Sequence, residues 1–159
     1  MLKAITEKPF EPLATTDIRL LTLKTAFLVA VTTARRASEL CALRVDSPYL
    51  IFHKDKVTLH PDPSFMPKVI TDFHINQDIY LPSFFQSPST ELEKTLHTLD
   101  IRQAVAFYKD RTSNFRCTPR LFVCYGGAQK GLPVSTQRFA SWVVSTNRTC
   151  LPNASLGTD

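Results

Sequence analysis

The most informative stretch of the sequence reads Thr33-Ala34-Arg35-Arg36-Ala37-Ser38-Glu39-Leu40-Cys41-Ala42-Leu43-Arg44. Glu39, Leu40 and Leu43 follow Arg36 at offsets of about three, four and seven residues, which is the spacing of one helix face. This pattern predicts a helix that begins near Arg36 and buries its leucines. An arginine and a glutamate on such a helix are common, so the stretch by itself assigns no function.

Patterned segments flank this stretch on both sides. Asp17 can cap a preceding helix, which the apolar spacing extends to about Thr33, and a sharp joint is expected between the two helices. Downstream, residues 49–52 and 57–59 flank the polar turn 53–56 and predict a short hairpin. A third strand is expected within residues 73–81.

The C-terminal half begins with a loop rich in proline and serine over residues 82–90. Asp100 can then cap a helix, and Ser135 can cap a last one. Residues 121–124 are expected to be a buried strand or extended segment that ends at the turn Gly126-Gly127. The expected inner residues of the two helices are Ile101, Ala104, Val105 and Tyr108, then Phe139, Trp142 and Val143.

The predicted fold class is mainly α with a small antiparallel β-sheet (α+β). We expect an N-terminal extension over residues 1–15, one domain over residues 16–146, and a disordered tail over residues 147–159, because the tail lacks apolar periodicity. A chain of 159 residues with 43% apolar composition is long enough for one domain with a substantial core.

The stretch around Arg36 resembles the first conserved box of the tyrosine recombinases, the phage integrase superfamily, which reads T-G-x-R-x-x-E-L. Ala34 stands where that family usually has glycine. Other segments resemble the recombinases of DIRS-like and Ngaro-like retroelements, and the resemblance runs from about residue 17 to residue 146. These segments are Leu23-Lys24-Thr25-Ala26-Phe27-Leu28, Met66-Pro67-Lys68-Val69, Asp110-Arg111-Thr112 and Leu121-Phe122-Val123-Cys124-Tyr125-Gly126-Gly127.

The resemblance implies a tyrosine recombinase catalytic-domain core and cleavage of DNA through a phosphotyrosyl intermediate. It makes Arg36 the first catalytic arginine and Lys68 the lysine that protonates the leaving oxygen, with Lys56 as the alternative. The family's H-x-x-R box is missing, because no histidine is followed three residues later by arginine. The nucleophile is missing as well, since no tyrosine follows Tyr125. We therefore expect a truncated recombinase that does not cut DNA.

The positive charge is concentrated between Arg102 and Arg148. This segment contains eight basic residues and one acidic residue, a net charge of +7, whereas the whole chain carries +5. Such clustering favours a polyanion, because neutralised phosphates release counterions. Duplex DNA is the expected partner, and a solvated basic face is the alternative. The expected phosphate contacts are Arg111, Arg116, Arg120, Lys130 and Arg138.

Several classes of protein and site are not expected. The four cysteines form no C-x-x-C pair, so no metal or other cofactor is expected. No apolar run approaches the length of a membrane span, and the N-terminus lacks a secretory pattern. We expect a nuclear or otherwise intracellular protein that is not secreted. Three hypotheses stay open: a recombinase, with or without self-association on DNA, a non-catalytic DNA-binding module, and a nonfunctional retroelement relic.

Overall fold

The computed structural model describes residues 2–66, 78–83 and 87–150. Within these residues the chain forms five α-helices and a three-stranded antiparallel sheet, so the expected combination of helices with a small antiparallel sheet is confirmed. The elements in chain order are α1 (Ile18–Thr33), α2 (Ala37–Cys41), β1 (Leu50–Phe52), β2 (Lys56–Leu59), β3 (Ile79–Pro82), α3 (Glu91–His97), α4 (Ile101–Thr112) and α5 (Thr136–Cys150). Two short 3-10 helices cover Lys3–Ile5 and Gly127–Gln129.

Helix α1 is the centre of the structure. It begins after Asp17 as predicted, and the Asp17 carboxylate accepts a hydrogen bond from the Arg19 N–H at 2.8 Å. Every residue from 21 to 29 is buried, including Lys24, because α4, α5 and β3 all pack against α1. A helix that is covered all round is a core helix rather than a surface helix.

The N-terminal residues pack into this same core. Ile5, Phe10 and Leu13 are all buried. The ammonium group of Lys24 forms an ion pair with Glu11, and burial lowers the pKa of Lys24 while Glu11 opposes that shift. The described residues expected to form an extension are therefore packed against α1.

The sheet has the order β1-β2-β3, and both pairings are antiparallel. The hairpin of β1 and β2 is confirmed at its predicted place, with Leu50 opposite Leu59. In β3, Ile79 and Leu81 are buried while Tyr80 is exposed. This strand ends at Pro82, one residue beyond the predicted window and inside the predicted loop. Residues 73–77 of the window lie outside the described residues.

Helix α2 is shorter than predicted because it ends at Cys41. Leu43 is buried as expected, but its backbone forms a bridge with Pro61 and accepts a hydrogen bond from the Leu121 N–H at 2.8 Å. Arg44 forms a similar bridge with Arg120. These pairings with distant segments replace the next helical turn.

Helix α3 was not predicted, because it contains no buried residue and so shows no apolar face. Its start is nevertheless visible in the sequence, since Thr90 and Glu93 form a capping box. Helix α5 runs to Cys150, which is buried, so the tail boundary expected at residue 147 lies inside the helix. Residues 151–159 lie outside the described residues.

Residues 121–124 form the extended alternative of the prediction: all four are buried and none belongs to the sheet. Val123 forms a backbone bridge with Pro133, and its N–H donates to the hydroxyl of Tyr108 at 3.0 Å. The predicted turn follows, with Gly127 at a φ of 72°. Through the hydrogen bond between Val123 and Tyr108, residues 121–124 are attached to α4.

Candidate DNA-binding site

A tight turn between α1 and α2 presents Arg36. Ala34 closes α1 in the left-handed conformation with φ 52° and ψ 25°, and its N–H donates to Ala30 O at 3.0 Å. Arg36 is the N-cap of α2, and its carbonyl accepts from the Glu39 N–H at 3.0 Å. Its side chain is exposed and has no hydrogen-bond or ion-pair partner within residues 2–66, 78–83 and 87–150. The guanidinium therefore remains available to a ligand.

Leu40 and Glu39, the two residues that end the box, differ in their surroundings. Leu40 is buried in the core. Glu39 contacts Arg35 across one helical turn, with 3.5 Å between the carboxylate oxygen and the guanidinium nitrogen. Of the two neighbouring arginines, Arg35 thus faces a carboxylate that belongs to the protein, whereas Arg36 faces solvent.

The candidate lysines differ in what the structure shows. Lys68 lies outside the described residues. Lys56 is half-buried at the start of β2, and its ammonium group lies 5.1 Å from the centre of the Tyr80 ring. The choice between Lys56 and Lys68 stays a prediction.

Arg120 belongs to a cluster of charged side chains that also contains Arg44, Asp46 and Asp62. Arg44 forms a bidentate pair with Asp46 at 2.8 and 2.5 Å and also contacts Asp62 at 3.3 Å. Arg120 approaches Asp62 at 3.9 Å and donates to Ala42 O at 3.1 Å. Hydrogen bonds from Ser64, followed by the charges of the two arginines, lower the pKa of Asp62.

Arg111 and Arg116 bind the protein's own backbone. Arg111 donates to Leu13 O at 2.9 Å and so holds the N-terminal segment. Arg116 donates to Leu121 O at 2.8 Å and to Thr112 Oγ1 at 2.6 Å, and it also bonds Arg120 O. Burial lowers the pKa of the Arg116 guanidinium, and the neighbouring Tyr108 opposes that shift.

Lys130 and Arg138 are the exposed members of the predicted set. Lys130 lies beyond the second 3-10 helix with its ammonium group 4.8 Å from the centre of the Phe115 ring. Arg138 projects from the first turns of α5, and one of its nitrogens lies 3.4 Å from the Cys124 sulfur. The structure thus divides the five residues into three that bond the fold and two that are exposed.

Arg138 also lines a cleft that the sequence did not reveal. The cleft lies between the first turns of α1, the segment 124–126 and α5, and its volume is about 340 Å³. Its lining residues are Arg19, Leu23, Cys124, Tyr125, Gly126, Arg138, Ser141, Trp142 and Ser145. The available signal was the spacing of residues 138, 141, 142 and 145, which repeats with the period of one helix face.

Comparisons with models of known protein families, with curated proteins and with solved structures find no match for this chain. No helix in the described part of the chain is long and apolar enough to cross a bilayer. Those same residues contain no group of three or more His, Cys, Asp or Glu side chains that could hold a metal ion.

Proposed function

We propose that this chain derives from a tyrosine recombinase and that it binds duplex DNA through phosphate contacts at Arg36 without cutting the strand. The proposal combines the resemblance of the Arg36 stretch with the geometry of the turn before it. The non-cleaving part concerns residues 1–159 alone, in which no histidine is followed three residues later by arginine.

The observation that carries the proposal is the left-handed turn at Ala34. The recombinase box has glycine at this position, and glycine adopts positive φ without the steric cost that a Cβ brings. Ala34 keeps a φ of 52° although it is not glycine, at a cost of roughly 1–2 kcal/mol. A conformation held at such a cost supports a role for the turn in presenting Arg36.

Arg36 has the chemistry that a phosphate contact needs. Its planar guanidinium meets phosphate oxygens with two parallel N–H groups and stays charged at any working pH. Because the Arg36 side chain is exposed and has no partner among the described residues, binding a phosphate breaks no existing hydrogen bond or ion pair. Contacts of this kind position a protein on DNA but do not read its sequence.

The test compares two neighbouring arginines. Binding of a labelled duplex is measured by fluorescence anisotropy at several salt concentrations for the unmodified protein, Arg36→Ala and Arg35→Ala. Both variants lose one positive charge, but Arg35 already faces Glu39 at 3.5 Å. We expect Arg36→Ala to weaken binding about tenfold and to reduce the salt slope by about one unit.

Arg35→Ala is expected to change binding much less. Circular dichroism and the unfolding midpoint establish that both variants are folded. Equal losses for the two variants would show only a diffuse charge effect and would contradict a phosphate site at Arg36. Binding that does not respond to salt would contradict phosphate contacts altogether.

A further inference from the structure

We propose that the cleft beside Arg138 is a binding site for a 5′-nucleotide, with the phosphate between Arg19 and Arg138 and the base against Tyr125. This site does not depend on DNA binding at Arg36. Arg19 lies at the start of α1 and Arg36 lies beyond its end. The rise of the helix alone separates the Cα atoms of Arg19 and Thr33 by about 21 Å.

The charge of the lining favours an anion. Two arginines line the cleft, and none of the lining residues is acidic. Arg19 is exposed, and its side chain has no hydrogen-bond or ion-pair partner in the described part of the chain. The only polar contact of the Arg138 side chain there is the Cys124 sulfur, a weak acceptor. Both guanidinium groups can therefore turn to a phosphate without losing a strong partner.

The aromatic part of the lining favours a planar group next to that phosphate. The rings of Tyr125 and Trp142 lie 5.6 Å apart at 31°. Trp142 is buried whereas Tyr125 is half-buried, so Tyr125 is the ring that a ligand can reach. Stacking of a base on an aromatic side chain contributes about 1–3 kcal/mol.

The hydroxyl groups favour a nucleotide over other aromatic phosphates. Ser141 and Ser145 are exposed on the α5 face of the cleft. A base edge and a sugar carry polar groups that can pair with these hydroxyls, whereas the ring of a phosphotyrosine has none to offer. The volume of about 340 Å³ falls within the roughly 300–1,000 Å³ of small-molecule sites.

The chain offers a built-in probe, because Trp142 is its single tryptophan and lies in the cleft wall. Deoxyadenosine 5′-monophosphate is titrated while the Trp142 fluorescence is followed, and the affinity is measured by calorimetry. Deoxyadenosine and inorganic phosphate are titrated in parallel. We expect saturable binding of the nucleotide, at least about tenfold tighter than either fragment, because only the nucleotide fills both halves of the cleft.

Three variants locate the site. Arg19→Ala and Arg138→Ala are each expected to weaken nucleotide binding about tenfold, the effect of one charge-assisted hydrogen bond. Ser141→Phe keeps both arginines and fills the cleft from an exposed helix position, so we expect it to abolish binding. Lys94→Ala is the control, since Lys94 is exposed on α3 and pairs with Glu91 at 3.2 Å. Unfolding midpoints confirm that each variant is folded.

Three further ligands, namely two single strands and phosphotyrosine, test where the nucleotide comes from and which class of ligand the cleft binds. A single strand with a 5′-phosphate is compared with the same strand ending in a 5′-hydroxyl. Tighter binding of the 5′-phosphorylated strand than of the 5′-hydroxyl strand, with the difference lost in Arg138→Ala, would identify a strand end, whereas equal binding of the two strands would identify a free nucleotide. The proposal is overturned if nucleoside and nucleotide bind equally, if phosphotyrosine binds more tightly than the nucleotide, or if the variants bind like the unmodified protein.

Discussion

The arginines of the basic C-terminal third differ in what their guanidinium groups contact. Arg116 bonds three oxygen atoms of the fold, and its Nε is buried without a partner. The Arg138 side chain is exposed, and its only polar contact among the described residues is a sulfur atom. The net charge of the sequence counts both residues equally, although the Arg116 guanidinium already donates to backbone carbonyls of the fold.

Arg116→Ala is expected to lower the free energy of unfolding by about 2–3 kcal/mol, because it leaves two partly buried carbonyl groups without their charged donor. Chemical denaturation measures the change. Arg148→Ala is the matched control: Arg148 is exposed on α5 and has no polar partner among the described residues. A surface substitution of this kind changes stability by less than about 0.5 kcal/mol. Equal effects of the two substitutions would contradict the structural role of Arg116.

This role changes how charge-reversal experiments on DNA binding are interpreted. Reversal at Arg111 or Arg116 removes hydrogen bonds to the backbone as well as charge. A loss of DNA binding by such variants would include a loss of folded protein. Reversal at Lys130 or Arg138 tests the basic surface with less disturbance, since both side chains are exposed.

At the level of elements, Asp62 connects three segments outside the sheet that otherwise pair through isolated backbone bridges. Its carboxylate contacts Arg44 after α2 and Arg120 before the buried segment 121–124. It also accepts a hydrogen bond from the Ser64 N–H in its own loop. The pKa of Asp62 lies below its ordinary value of 3.8, so the folded state favours the charged form. The resulting stability is present above pH 3.8 and is lost as the pH falls through the folded pKa.

We therefore expect Asp62→Asn to destabilise the protein at neutral pH and to reduce the further loss of stability on acidification. Asparagine keeps an oxygen that can accept from Ser64, so the substitution isolates the charge. Urea denaturation is measured at neutral pH and below pH 3.8. Asp55→Asn, in the exposed hairpin turn, is expected to change neither value. An unchanged acid dependence in Asp62→Asn would show that this carboxylate does not link the segments.

The elements predicted correctly share a local cause. Asp17, Asp100 and Ser135 each accept a hydrogen bond from an N–H in the first turn of the helix that follows. Such bonds join residues that are two or three positions apart, so they can be predicted from the sequence alone. The end of α2 and the helix α3 were missed for opposite reasons: distant segments end α2, and α3 lacks a buried face.

For the whole molecule, we expect no covalent intermediate with DNA. The chain's four tyrosines all precede the position that the recombinase nucleophile would occupy. Burial raises the pKa of Tyr108 to about 12, which holds it as the neutral phenol rather than the phenolate. Tyr49 lies beneath the Arg44 guanidinium at 4.4 Å, and Tyr125 packs on Trp142. Under the proposed function, no tyrosine among residues 1–159 is therefore expected to act as the nucleophile.

The measurement uses a nicked suicide substrate and a denaturing gel. The expected result is no shifted band, because a charge-stabilising arginine accelerates only a reaction that has a nucleophile. Comparison with Arg36→Ala supplies the control. A protein–DNA band that survives denaturation and disappears in Arg36→Ala would show that the chain does cleave DNA, and would overturn the non-cleaving part of the proposed function.

The sequence by itself determined the features that depend on near neighbours: the starts of α1, α4 and α5, the hairpin, and the turn that leads to Arg36. Only the tertiary structure decided which charges are available. Arg111 bonds a carbonyl 98 residues away and Arg120 one 78 residues away, and Arg19 and Tyr125 line the same cleft. Such contacts depend on how the helices pack around α1. Periodicity within one segment shows which face is buried, but it carries no information on what that face meets.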